Sequence, residues 1–167
     1  MNNTRLDTTS EQNILNMLMD NSIITSDQMS KINLTSNEIG KSKLETAFEL
    51  NLTNENQILK ILSSNYSLPI IDLQKYKIDQ KIKKIIDTRY IVDHSLVPFE
   101  ISDETLKIAI ADGSKLSLMK NLKTMTKMEP ELYAASISNI NEFIERLTKT
   151  DGKKTSEHNV KIEKIEK

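Results

Sequence analysis

The chain has 167 residues, of which 37% are hydrophobic and 28% charged, and the charges nearly cancel to a net charge of -1. This balance argues against a partner that is simply a polyanion. The absence of cysteine excludes disulfides, thiolate nucleophiles and cysteine-ligated zinc. Arginine occurs only at Arg5, Arg89 and Arg146, which disfavours a dedicated phosphate-reading surface.

The N-terminal segment from Met1 to Asn13 is polar, and no apolar run approaches the roughly 20 residues that a membrane span requires. The sequence therefore predicts a soluble, cytoplasmic chain. We expect residues 1–12 to be disordered, because they lack the apolar periodicity that offsets the entropy of ordering.

An internal repeat covers about the first 65 residues and becomes visible when the sequence is shifted by 29 positions against itself. Each unit is predicted to form a helix, a tight turn and a second helix. The shift pairs Leu15 with Leu44, Leu18 with Ala47, Met19 with Phe48, Ile23 with Leu52, Thr25 with Asn54, Gln28 with Gln57, Met29 with Ile58, and Ile32 with Ile61.

Capping signals support the second helix of each unit. Thr25 and Asn54 are good N-cap residues, and Gln28 and Gln57 follow three positions later, where each is able to complete a capping box. Gly40 lies between the units and is the natural helix breaker there. Residues 13–66 are therefore predicted to be a bundle of two duplicated helical hairpins.

From Ser67 onward the pattern changes to alternating strands and helices. We predict a strand over Leu68–Leu73, a helix from Asp79 to about Asp87 with Ile82, Ile85 and Ile86 inward, and a further turn opening at Thr88. Next we predict a hairpin over Leu96–Ile101 and Thr105–Ala111, and then a helix bearing Leu116, Met119, Leu122 and Met125. A strand over Pro130–Ala135 follows. The last predicted helix is capped by Ser136 and has its inward face at Ile140, Phe143, Ile144 and Leu147.

The fold class that follows is α+β, with an N-terminal helical bundle and a small α/β domain whose sheet has three or slightly more strands. The predicted divisions are a helical subdomain over 13–66, an α+β subdomain over 67–148 and a charged, flexible tail or linker over 149–167. We expect separate cores, with Leu18, Ile24, Phe48, Leu52 and Ile58 in the first, and Ile71, Ile85, Ile108, Leu122 and Ile144 in the second.

Two sequence features suggest a chemical site, but neither has the residues that such a site needs. The sequence Asp112 to Lys115 resembles a phosphate loop but lacks its paired glycines, so a strand-to-helix turn is expected. His94 and His158 have no recognisable second ligand and are expected to be surface histidines. We therefore predict no catalytic, cofactor-binding or metal-binding residues, and no cofactor.

A group of lysines marks the predicted helix at Asp79: Lys75, Lys77, Lys81, Lys83 and Lys84. One interpretation is a patch for nucleic acid or anionic lipid, and the other is a solvated helix face. The near-zero net charge and the scarcity of aromatic residues for base stacking favour the solvated face.

The order of elements resembles the N-terminal region of the ATPases that drive type II secretion and type IV pilus assembly. The segment from Ser67 to Leu73 is similar to that family's glycine, leucine, proline, aromatic, valine, aspartate, leucine stretch. The run Leu96, Val97, Pro98 and then Leu106 to Asp112 is similar to its following hairpin and aspartate turn. The similarity covers about Ile14 to Leu147.

Some members of that family bind cyclic di-GMP through an arginine, leucine, glycine triplet at the head of each repeat, a glycine at the turn and a terminal glutamine. The resemblance places Asn13, Ile14, Leu15 and Ser42, Lys43, Leu44 at the heads, Ser22 and Asn51 at the turns, and Ser36 and Asn65 at the glutamines. Both arginines and all motif glycines are absent, which disfavours cyclic di-GMP as a ligand.

The resemblance implies a bacterial docking or regulatory domain for protein transport, binding an inner-membrane assembly protein through its helical half and working with an ATPase motor domain in cis or in trans. It implies a cytoplasmic location, at the inner membrane only through that partner. The motor motifs are absent from this chain, so we expect no enzyme activity. On the charge and hydropathy given above, we also expect no nucleic-acid partner and no membrane span. The alternative is a cyclic di-GMP sensor domain.

Overall fold

The structure is a computed structural model and describes residues 7–149. Eight α-helices and one three-stranded sheet lie within this range. They are α1 (Thr8–Asp20), α2 (Ser26–Ile39), α3 (Lys43–Glu49), α4 (Glu55–Tyr66), α5 (Gln80–Ile85), α6 (Thr88–His94), β1 (Val97–Ser102), β2 (Thr105–Ile110), α7 (Met119–Thr126), β3 (Glu129–Ala134) and α8 (137–149). Short 3₁₀ turns occupy Leu73–Lys75 and Gly113–Leu118. The α+β class is confirmed.

The two helical hairpins have the same backbone geometry at the turns that the repeat predicts. In the first, Ile23 N donates to Leu18 O at 2.8 Å, and in the second Leu52 N donates to Ala47 O at 3.0 Å. These four residues are related in pairs by the 29-residue shift. The repeat in the sequence is therefore a repeat in the structure.

Helix capping follows the sequence at both predicted starts, but only one start has the full capping box. Thr25 Oγ1 accepts from Gln28 N at 3.1 Å while Gln28 Oε1 accepts from Thr25 N at 2.9 Å. Asn54 Oδ1 accepts from Gln57 N at 2.9 Å, but the Gln57 side chain accepts from the Thr53 hydroxyl instead. A neighbouring hydroxyl thus replaces the backbone donor in the second unit.

The sheet has the order β1-β2-β3. Strands β1 and β2 form the predicted antiparallel hairpin, which closes at the pair Ser102 and Thr105. Strand β3 lies parallel to β2, with Ile108 opposite Leu132 and Ile110 opposite Ala134. The parallel pairing requires the crossover that the 3₁₀ turn and α7 provide.

The strand predicted over Leu68–Leu73 is wrong. Only one bridge forms there, between Ile70 and Ala134. Beyond it, the Asp72 carboxylate accepts from Gln74 N at 3.0 Å and begins a 3₁₀ turn. Pro69 has no N–H to donate to a ladder, so the segment is limited to a short contact at the sheet edge.

The helix after Asp112 also differs from the prediction. Asp112 begins a 3₁₀ turn, and the α-helix starts only at Met119. Leu122 is fully buried, but Met125 is exposed. The 3₁₀ turn has a tighter period than an α-helix, so it rotates the following side chains away from the face that α-helical spacing predicts.

The core is continuous across the boundary between the predicted halves within residues 7–149. Six of the ten predicted core residues are buried, including Leu18 and Ile108, while Phe48, Leu52, Ile71 and Ile85 are only partly buried. Helix α1 packs on the 3₁₀ turn at Gly113, and α4 packs on β3. The expectation that the two halves share no packing partners is therefore wrong, although the subdomain boundary itself stays a prediction.

The two ends of the described range can be compared with the terminal segments predicted to be disordered. Helix α1 begins at Thr8, with Asp7 as its N-cap and Ser10 fully buried, so the ordered chain starts earlier than expected. The predicted flexible tail over 149–167 lies outside the described residues apart from residue 149, which ends α8. His158 lies outside them too. No helix within residues 7–149 is long and apolar enough to cross a membrane.

Candidate docking and ligand site at the repeat heads

The head of the first repeat contacts the other half of the molecule. Asn13 Oδ1 accepts a hydrogen bond from Gly113 N at 3.0 Å, and the next two residues, Ile14 and Leu15, are fully buried. A Cβ at Gly113 would meet the outer end of the Tyr66 ring, so the turn passes close to this side chain at the end of α4. The side chain at the first head position is therefore used inside the fold.

The head of the second repeat is occupied by oxygen atoms of the chain itself. Ser42 Oγ caps α3 by accepting from Glu45 N at 3.1 Å. The Glu11 carboxylate, from α1, accepts from Leu44 N at 3.3 Å. Since a helix N-terminus attracts anions through such N–H groups, Glu11 takes the place that an external anion would need.

The two turn positions keep the backbone conformation that glycine favours. Ser22 has φ of 61° and Asn51 has φ of 57°, both in the left-handed region. The terminal positions diverge: Ser36 is buried and donates to Asn33 O, whereas Asn65 is exposed at the end of α4. The turns therefore keep the hairpin shape, but they carry side chains where glycine would allow close approach of a ligand.

A buried polar cluster lies beside the first head. The Lys115 side chain is only 4% exposed, and its Nζ lies 3.6 Å from Asp7 Oδ2. Burial of the Asp7 carboxyl works to raise its pKa, but hydrogen bonds from Ser10 and the Lys115 charge outweigh burial and hold that pKa below its ordinary value. Asp112 caps the 3₁₀ turn through Ser114 N at 2.9 Å. This cluster fixes α1 on the turn that follows β2.

A second polar contact between the halves joins α4 to the start of α8. Glu55 accepts from both Ser138 N and Ser138 Oγ, each at 2.6 Å. These carboxylate bonds satisfy donors at a helix N-terminus, where negative charge is favoured. Like the cluster at Asp7, this contact fixes the orientation of the helical half on the sheet.

The other residues singled out from the sequence lie apart from the repeat heads. His94 is in the last turn of α6, with its ring 4.3 Å from that of Tyr90. Asp112 to Lys115 form the turn from β2 into the following helix. Across residues 7–149, no three histidine, aspartate or glutamate side chains are grouped so as to hold a metal ion.

We use the name lysine face for Lys75, Lys77, Lys81 and Lys84, which are all exposed. Lys83 belongs to the same predicted group but is half-buried. The lysine face lies in the α+β half, on the segment that leads into and forms α5.

Sequence reasoning missed the carboxylates that act at the second head and at the contacts between the two halves. Glu11, Glu55 and Asp7 bond to groups that lie 33, 83 and 108 positions away in sequence. Local capping and periodicity carry no signal for such contacts. Lys115 itself gave a hint, because it follows the apolar strand β2 closely, and a buried lysine there must find a partner.

A family model, that of the MshEN domain, matches residues 66–154, just over half of the chain. Two type IV pilus assembly ATPases named PilB are similar in sequence. That of Myxococcus xanthus is 29% identical over 92 residues, which are 55% of this chain and 16% of PilB. That of Thermus thermophilus is 19% identical over 123 residues, 72% of this chain and 14% of PilB. The chain therefore spans a small part of these relatives.

Two solved structures are similar in fold. A structure of MshE with cyclic di-GMP superposes with a TM-score of 0.57 at 21% identity, covering 80% of this chain and 96% of that one. The N-terminal domain of XpsE superposes with a TM-score of 0.55 at 19% identity, covering 82% and 94%. At these identities the likeness establishes the fold.

Proposed function

Because the chain belongs to the MshEN family, the N-terminal domain of type II secretion and type IV pilus ATPases, we propose that it is a docking and regulatory domain. Its partner in this proposal is an inner-membrane assembly protein of a secretion or pilus machine, met from the cytoplasmic side. The ATPase motor domain, in cis or in trans, is the second partner. The domain itself performs no catalysis.

The observation that carries this proposal is the occupancy of the repeat heads. Asn13 is bonded to Gly113 N, and Glu11 is bonded to Leu44 N, so both heads serve internal contacts. A cyclic dinucleotide carries two phosphates, and at the second head it would meet the Glu11 carboxylate. A rigid module that presents its outer surface to a protein agrees better with this arrangement than a ligand receptor does.

The second candidate function is a cyclic di-GMP sensor, favoured by the fold shared with MshE, which was solved with that ligand. Isothermal titration calorimetry of the chain with cyclic di-GMP separates the two functions. We expect no heat of binding up to hundreds of micromolar ligand. If cyclic di-GMP binds the chain with a dissociation constant in the micromolar range or below, the sensor function would be favoured over docking.

The docking function is tested by affinity capture from detergent-solubilised inner membranes of the source cell, with the tagged chain as bait. We expect mass spectrometry to identify an assembly protein of the machine, and excess untagged chain to displace it. Recovery of neither an assembly protein nor a motor subunit would count against docking. Incubation of the chain alone with ATP is expected to give no phosphate release above buffer.

A further inference from the structure

The lysine face has an unusual balance of charge. Lys75, Lys77, Lys81 and Lys84 lie within ten residues and are exposed, and none forms an ion pair with another residue in the range 7–149. The chain as a whole is almost neutral. Positive charge is therefore concentrated here and not balanced by contact.

The carboxylates nearest in sequence are committed to the backbone. Asp79 accepts from Lys81 N at 2.9 Å and Asp87 accepts from Arg89 N at 3.0 Å, so they cap α5 and α6. Asp72 accepts from Gln74 N and from the Asn139 amide. These acids begin helices and turns, while the lysine ammonium groups extend into solvent.

The same geometry narrows the class of partner. Open helix N–H groups or a planar guanidinium would hold a single phosphate group in a fixed geometry, but Asp79 and Asp87 already fill the two helix starts. The lysines offer a phosphate only separate point charges. Nucleic acid would need exposed rings for stacking, yet Tyr76 packs edge-on against Phe99 with ring centroids 4.8 Å apart. A bilayer would favour exposed apolar anchors, and Ile82 is buried beneath the lysines.

We propose that the lysine face is the docking surface for an acidic peptide segment of a protein partner. This inference rests on the proposed docking function and assigns its contact to the α+β half, whereas the sequence suggested the helical half. Half-buried Tyr76 and Ile78 pack against the core, while Lys75 and Lys77, which alternate with them in sequence, are exposed. The surface is therefore mainly cationic, and an acidic segment supplies the complementary charge. Exposed charges set association rate and register, so binding weakens with salt.

The direct test uses a fluorescein-labelled ten-residue peptide of alternating glutamate and serine, titrated with the whole chain at low ionic strength. Binding is followed by fluorescence anisotropy, and the contacted residues are located by amide chemical shifts. The test variant is Lys81→Glu with Lys84→Glu. The matched control is Lys31→Glu with Lys60→Glu, which reverses two exposed lysines on helices of the other half.

We expect the test variant to weaken peptide binding by at least about tenfold and the control by much less, with shift changes confined to residues 75–84. Circular dichroism of both variants checks that the fold is kept. Equal losses in the two variants, or shift changes spread over the whole surface, would overturn the assignment. So would tighter binding to phosphatidylglycerol vesicles or single-stranded DNA than to the peptide.

Membrane capture with the same variants separates this inference from the function on which it rests. Loss of the assembly protein with the Lys81 and Lys84 variant alone supports both. Undiminished capture by that variant overturns the lysine face and leaves docking intact. Failure of every bait to capture an assembly protein, while the peptide still binds residues 75–84, overturns docking and supports the face as an acidic-segment site.

Discussion

The helical half and the α+β half are built on different kinds of information. In the helical half, caps, turns and apolar spacing act within a few residues, and the same pattern occurs twice. In the α+β half, the sheet depends on β3 reaching a strand that ends nearly twenty residues earlier in the chain. The fold of the helical half is specified by patterns between residues that are near each other in sequence. The fold of the α+β half is specified by contacts between residues that are far apart in sequence.

The two halves nevertheless share one core and several polar contacts. Asn13 with Gly113, Asp7 with Lys115, and Glu55 with Ser138 all cross the boundary. Two units that differ in architecture can still behave as one folding unit when their interface is this specific. The largest predicted effects therefore concern whether the halves unfold together.

The strongest test is Ile108→Ala in the central strand. Ile108 is fully buried, so the cavity should cost about 2–5 kcal/mol of unfolding free energy. Because the core is continuous, we expect helical and sheet signals to shift together in urea, followed by circular dichroism and by amide resonances of each half. Ile70→Ala is the control, since Ile70 is 52% exposed and should cost far less.

A helical half that stays folded after the sheet of the Ile108 variant has melted would restore the picture of two independent units. It would also show that the polar contacts at the boundary contribute little. Residue-resolved amide exchange distinguishes this outcome from a merely broadened transition.

The next effect concerns the buried ion pair. Asp7→Asn leaves the Lys115 ammonium enclosed without a full counter-charge, and we expect a loss of about 1–3 kcal/mol, since Asp7 itself is only about half enclosed. Asp27→Asn, at an exposed site in the first turn of α2, is the matched control and should change stability by less than about 0.5 kcal/mol.

The pH dependence of this pair has a definite sign. The pKa of Asp7 lies below its ordinary value of 3.8 in the folded chain, so its ionised form stabilises the fold above that pH. Stability from Asp7 is lost as pH falls through the folded pKa. The difference between the native chain and Asp7→Asn should therefore shrink as pH falls below about 4, and a difference that grows on acidification would contradict this account.

Much of the fold could be predicted because its signals are local. The N-caps at Thr25 and Asn54, the hairpin at Ser102 and the buried face of α8 all follow from spacing and residue type. The pairing of β3 with β2, the loss of the strand at Pro69 and the shift caused by the 3₁₀ turn at Gly113 depend on how distant segments meet. The same holds at the repeat heads, where the decisive groups come from other elements.

A smaller effect compares the capping of the two repeats. Thr25→Ala should cost about 1 kcal/mol, because it removes the bond to Gln28 N at the start of α2. Gln28→Ala should reduce the free energy of unfolding by only a few tenths of a kcal/mol, because it removes the bond from Thr25 N. Gln57→Ala removes no bond to the backbone N–H of the cap residue, since Gln57 bonds to the Thr53 hydroxyl, and should therefore not weaken the capping of α4. Urea denaturation measures all three, and a Gln28 effect as large as that of Thr25 would contradict this ranking.

The smallest effect separates the two turns of the repeat. A left-handed residue costs roughly 1–2 kcal/mol for an ordinary side chain, and glycine avoids this cost but loses about 0.5–1 kcal/mol through its more flexible unfolded chain. We therefore expect Ser22→Gly, at φ of 61°, to stabilise the fold by about 0.5 kcal/mol. Asparagine tolerates this conformation, so Asn51→Gly should change stability little. Thermal unfolding of the two variants, with Ser30→Gly within α2 as a destabilising control, measures the difference. A loss of stability at Ser22 would mean that the first turn does not adopt the conformation of the second.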